Sequence, residues 1–149
     1  MITQFILAMF ATLGCCIIFH LPYRCMPVSA MIGAVGWTCC QLLTQAELSI
    51  AVSTFIATLL VALLGEVFSR VLKDAATLFV IPGIIPLVPG GGMYYTMLYF
   101  IQGDMASAGE WGTRTVLIAI AIAIALLVMS SIVRIIVNIN RKFSKERSE

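Results

Sequence analysis

Charge is scarce in this sequence. Nine basic and seven acidic residues make up only 11% of its 149 positions, against about 25% in an average soluble domain. A formal net charge of +2 is too small an electrostatic footprint for a nucleic-acid partner. Histidine occurs once, as His20 beside Pro22 at the edge of an apolar run, where it reads as an interfacial polar residue. The five cysteines stand as Cys15-Cys16, Cys25 and Cys39-Cys40. None is spaced C-x-x-C, so no metal or redox site is expected, and the thiols read as small apolar filler. There is no Walker loop, no Ser-His-Asp set and no paired-carboxylate cluster. No catalytic residue, metal or cofactor is expected, and the chain is not read as an enzyme.

Apolar residues are what the sequence has in excess, at 61%. A chain this short cannot hide that much apolar surface in one water-soluble core, which leaves lipid as its solvent. Five apolar runs cover approximately residues 2–19, 27–44, 49–69, 77–101 and 113–139. Each is close to the roughly 17–25 residues a helix needs to span the hydrocarbon layer. The expectation is an all-α integral membrane protein, one domain over residues 1–149, with five transmembrane helices and a basic tail at 140–149. The first run is expected to be a span and not a cleaved leader, since no Lys or Arg precedes it and no small-residue cleavage site follows. Residues 119–125 alternate Ala and Ile as a strand would. Length and apolar flanks still predict helix, because an open strand edge cannot be satisfied in lipid.

The few charges orient the chain. Arg24 lies in the first loop, Arg70 and Lys73 in the third, and Arg141, Lys142, Lys145 and Arg147 in the tail, with Arg134 nearby. The second loop carries Glu47, and the fourth carries Asp104 and Glu110, with Arg114 at its edge. Five crossings put loops one and three and the tail on one side. That basic side is predicted to be cytoplasmic, with the N-terminus outside.

The fourth run is the most informative. Pro82, Gly83, Pro86, Pro89, Gly90, Gly91 and Gly92 crowd its middle, followed by Tyr94, Tyr95 and Thr96. Each proline lacks an N–H and blocks the carbonyl four residues back, which frees the carbonyls of Leu78, Pro82 and Ile85. Glycine is a poor helix former. The fourth span is therefore predicted to be discontinuous: two half-helices joined by extended backbone, the second starting near Gly92 or Met93. Free N–H groups at that start suit a carboxylate, free carbonyls suit an ammonium group or cation, and transporters build substrate sites from such broken helices. Pro82 through Thr96 is the candidate substrate-binding segment; the competing reading is a kinked helix that only packs.

On the third span Thr54, Thr58, Ala62 and Glu66 recur every four residues, a polar stripe expected to face protein. Glu66 reads equally as a coupling carboxylate or as a structural ion pair with Arg70, one turn away. Ser29/Gly33, Ala30/Ala34, Ala119/Ala123 and Ala121/Ala125 are small-x-x-x-small pairs that fit close helix packing.

With these residues in view, the chain resembles the threonine/serine exporter family. The resemblance rests on Ile85-Pro86-Leu87-Val88-Pro89-Gly90 followed by Tyr95, with Ser53-Thr54-Phe55 and Ser69-Arg70 upstream. It extends over nearly the whole chain and is closest to the short subunit of the two-component exporters, which corresponds to the C-terminal half of the fused ones. The resemblance implies an inner-membrane hetero-oligomer that exports small amino acids, or a dicarboxylate such as succinate in a related branch, together with a larger partner subunit. A physical argument for a partner stands beside it. A broken helix and a polar stripe need cover from lipid, and two five-span halves in series must have opposite orientations, the inverted arrangement of many transporters. Half of a secondary exporter, a scaffold subunit and a self-assembling channel remain open; the absence of a charge ring in the spans disfavours the channel.

Overall fold

The computed structural model describes residues 2–146, with side chains through Ile136. The helices are α1 (Ile2–Ile18), α2 (Met26–Gln45), α3 (Ile50–Leu72), α4 (Thr77–Ile84), α5 (Gly90–Ile101) and α6 (Met105–Glu146), with a 3-10 turn over Ile85–Leu87 between α4 and α5. No strand occurs among the described residues. The Ala/Ile run lies inside α6, and its burial pattern shows why helix wins. Ile118, Ala121, Ile122, Ala125 and Met129 are buried, the 3.6-residue period of one helix face. Ala119 and Ala123 point outward.

The chain is a multi-pass membrane protein. Three helices are long and apolar enough to cross a membrane: α2, α3 and Met105–Ile136 of α6. Thr77–Leu87 and Gly90–Ile101, bent by 44°, form a fourth crossing if they are one span. Length and composition thus support three to four of the five expected crossings. The shortfall is α1, which has only 17 residues. At 1.5 Å per residue it is about 26 Å long, short of a hydrocarbon core of about 30 Å. The last helix departs from expectation in the other direction. It starts at Met105, before the predicted start at 113, and continues without a break into the predicted tail. Its 42 residues measure about 63 Å, twice the hydrocarbon thickness. The side chains of Arg141, Lys142, Lys145 and Arg147 lie outside the described residues.

Helix α2 is the centre of the bundle, packed against α1, α3 and α4. Small residues allow this. A Cβ on Gly33 would collide with Thr12 Oγ1 of α1, and one on Gly36 with Val61 Cγ2 of α3. The core gathers Cys25, Ile32, Val61, Phe79, Leu87 and Ile122 from five separate stretches of chain. Cys25, in the turn before α2, donates its thiol to Asp74 Oδ2 at 3.3 Å. That contact ties the α1–α2 turn to the α3–α4 turn, so both lie at the same end of the bundle. Helix α5 packs chiefly on α6 and buries none of its residues.

Candidate functional site at the broken helix

The break in the fourth run is shorter than the prolines and glycines suggest. Helix α4 runs through Pro82 to Ile84, the 3-10 turn follows, and only Val88 (φ −62°, ψ 130°) and Pro89 (φ −78°, ψ 55°) leave helical geometry. The second half-helix begins at Gly90, ahead of the predicted Gly92 or Met93. The freed carbonyls explain how helix survives so far. Leu78 O, which Pro82 deprives of a donor, accepts from Ser29 Oγ at 3.1 Å. Pro82 O accepts from the Ile85 N–H, and Ile85 O from the Val88 N–H at 3.1 Å. All three carbonyls that were expected to face a ligand already have donors within the chain.

At the other side of the break the N–H groups are less well served. Gly90 N–H bonds back to Val88 O at 2.8 Å, and the intrahelical ladder starts with Met93 N–H to Pro89 O at 3.1 Å. The amides of Gly91 and Gly92 fall between these two bonds, among the orphan donors of a helix start. Both glycines line a cavity of about 360 Å³.

The cavity has three sides. Trp37, Gln41 and Thr44 project from one face of α2, with Ile50 and Thr54 from the start of α3 beside them. Pro86 through Pro89 form the floor, and Trp111, Arg114, Thr115 and Ile118 of α6 close it. The cavity includes the last turn of α2 and the first of α3, the end opposite the Cys25–Asp74 contact. The wall of α5 and α6 is held close by reciprocal small contacts. A Cβ on Gly92 would collide with Thr115 Oγ1, and one on Gly112 would lie 3.3 Å from Thr96 Cγ2.

The expected site residues divide. Pro86, Pro89, Gly91 and Gly92 line the cavity, with Gly90 adjoining them. Pro82 and Gly83 are buried in the core, Gly83 against Val61 and Ile32. Tyr94 and Tyr95 are 64% and 42% exposed, and Thr96 donates to Gly92 O on its own helix. Tyr95 stacks outside the cavity on Trp111, ring centres 5.0 Å apart. Of the polar stripe, Thr54, Thr58 and Ala62 are buried and Thr54 reaches the cavity. Thr54 and Thr58 donate to Ile50 O and Thr54 O respectively. Glu66 is half-buried and Arg70 exposed. No acid–base ion pair forms among the described residues, Glu66 and Arg70 included. No cluster of His, Cys, Asp and Glu suited to a metal ion occurs among the described residues.

A family profile described as Threonine/Serine exporter, ThrE matches residues 4–132. The chain belongs to the threonine/serine exporter family. Its members are transporters, and the match takes in every residue of the cavity. No solved structure matches this exporter chain. Composition and hydropathy could not nominate half of its cavity. Trp37, Gln41 and Thr44 are spaced four and three apart, and Trp111, Arg114, Thr115 and Ile118 three, one and three. Both patterns mark one helix face, and that spacing was the available signal. Arg114 was visible in the sequence only as a basic residue at the edge of an acidic loop.

Proposed function

We propose that this chain is one half of a secondary exporter of small amino acids of the threonine/serine type, working with a larger membrane subunit of the same family. The observation that carries the reading is the broken span. Its second half-helix presents Gly91 and Gly92 to a cavity large enough for a small amino acid, and a helix start favours a carboxylate. Pro86, Pro89 and the glycines after them are the proposed substrate-facing segment. Tyr94, Tyr95 and Thr96 support its wall against α6, and Pro82 and Gly83 hold it in the core. Glu66 stands twelve positions from Thr54 along α3, about 18 Å, and is assigned a place in packing rather than in proton coupling.

In this reading the chain sits in the inner membrane with its N-terminus outside and its C-terminus in the cytoplasm, and α1 provides a fifth crossing where the bilayer thins locally around it. Cover for the exposed α5 comes from the partner subunit. The test is export from cells loaded with threonine, serine or succinate, expressing this chain, its partner, or both. Threonine or serine export that needs both supports the proposal. Full export by the partner alone makes this chain a scaffold, and succinate export alone assigns it to the dicarboxylate branch.

A further inference from the structure

Among the described residues Arg114 is the only charged one lining the cavity, and no carboxylate lines it. Its guanidinium carbon lies 5.9 Å from the centroid of the Trp111 ring, at cation–π distance. Arg114 is exposed and stands ten residues into α6, at the edge of the α5–α6 turn. Among the described residues it has no acidic partner.

The remaining polar groups sort by what they can still donate. The hydroxyls of Thr44, Thr54 and Thr115 each donate to a carbonyl of their own helix, at 2.7–2.8 Å. Toward the cavity they offer only lone pairs. The charged donor stands on the α5–α6 side, where Arg114 lines the cavity together with Gly91 and Gly92, whose amides have no intrahelical acceptor. On the α2–α3 side Thr44 and Thr54 offer acceptors and Gln41 offers both an amide carbonyl and an amide NH2. We infer that Arg114 is the specificity-determining residue of the cavity, binding the carboxylate of the transported solute, while the α2–α3 wall receives its ammonium or hydroxyl groups. The inference rests on the proposed substrate cavity and adds the group that selects the substrate.

The chain carries a reporter for its test. It has two tryptophans, and both, Trp37 and Trp111, line the cavity. Tryptophan fluorescence of the purified full chain in detergent, titrated with L-threonine, L-serine, succinate and L-threoninamide, reads occupancy directly. Threoninamide keeps the ammonium and hydroxyl and loses the carboxylate. The expected result is a saturable response to carboxylate ligands and a roughly 10- to 100-fold weaker response to threoninamide, the range for loss of a hydrogen bond to a charged group. Arg114→Gln should weaken threonine by the same factor and abolish the discrimination. Arg114→Lys, which keeps charge without the planar fork, should fall between. The succinate arm distinguishes a dicarboxylate from an amino-acid carboxylate. Equal binding of threonine and threoninamide by the unaltered chain, no saturable response to any carboxylate, or undiminished discrimination in Arg114→Gln would each overturn the inference. The ligand contrast on the unaltered chain decides the matter even if Arg114→Gln fails to fold. Failure here is separable from failure of the exporter reading, which is read by cell export and not by fluorescence.

Discussion

Ser29 Oγ on α2 stands 3.1 Å from the carbonyl oxygen of Leu78 on α4, the acceptor that Pro82 leaves without its helical N–H. A proline defect in one helix is thus repaired by a hydroxyl 49 positions earlier in the chain. Ser29→Ala removes the only side-chain donor to that carbonyl among the described residues, at an expected cost of about 1–3 kcal/mol. Pro82→Ala restores an N–H able to reach Leu78 O. The Ser29→Ala penalty should therefore shrink in the Pro82→Ala background, with a coupling above about 0.5 kcal/mol. Thermal unfolding of the four proteins of this cycle in detergent measures it, and strict additivity would refute the repair.

The three glycines after Pro89 should not respond alike. Nothing lies within 4 Å of a Cβ built on Gly90 or Gly91, so alanine there should raise helix propensity by about 1 kcal/mol each and leave insertion intact. Gly92→Ala meets Thr115 Oγ1 and should push α5 off α6, lowering yield and melting temperature. Thr115→Ala removes the colliding atom and should rescue Gly92→Ala. Unchanged stability of the single Gly92 variant would show that α5 and α6 do not approach this closely.

The Cys25–Asp74 contact predicts an inert thiol. Cys25 is fully buried, and desolvation together with the adjacent Asp74 carboxylate pushes the thiol above its ordinary range. Alkylation followed by mass spectrometry should find Cys25 slow to label, and Asp74→Ala should speed it. The pH sign follows from the raised value. The protonated thiol is favoured in the fold, so its contribution is complete below the ordinary thiol range and is lost as pH rises through the raised value. Rapid labelling at neutral pH would mean that the two turns do not meet.

Topology can be read with reporter fusions. Sites after Gln45 and Gly103 should report the external side, and those after Lys73 and Lys142 the cytoplasm. Gly103 is chosen because residues 102–104 are the turn between α5 and α6, where φ of Gly103 is +80°, a conformation glycine adopts without strain. A cytoplasmic signal there would make α4 and α5 a re-entrant pair and end the five-crossing proposal.

Sequence alone determined the elements that depend on near neighbours. Length and apolarity marked helices over about 27–44 and 49–69, within a few residues of the helices observed, and over the core of the last run. The prolines at 82, 86 and 89 announced a break, because a missing N–H acts on the carbonyl four residues back, though helical geometry is left only at Val88 and Pro89. The alternating Ala/Ile run was legible as helix, since lipid admits no open strand edge. Only the tertiary structure decided what the break faces. Whether a freed carbonyl awaits a ligand depends on a donor elsewhere, and Ser29 cannot be paired with Leu78 from local pattern. Tyr94 and Tyr95 lie within a turn of the cavity glycines, yet the rotation of α5 on α6 turns them outward. Arg114, Trp37 and Gln41 converge because glycines at 33, 36 and 92 let the helices approach at particular points. Those approaches set which faces of separate helices meet, a relation between distant parts of the chain that no local periodicity records.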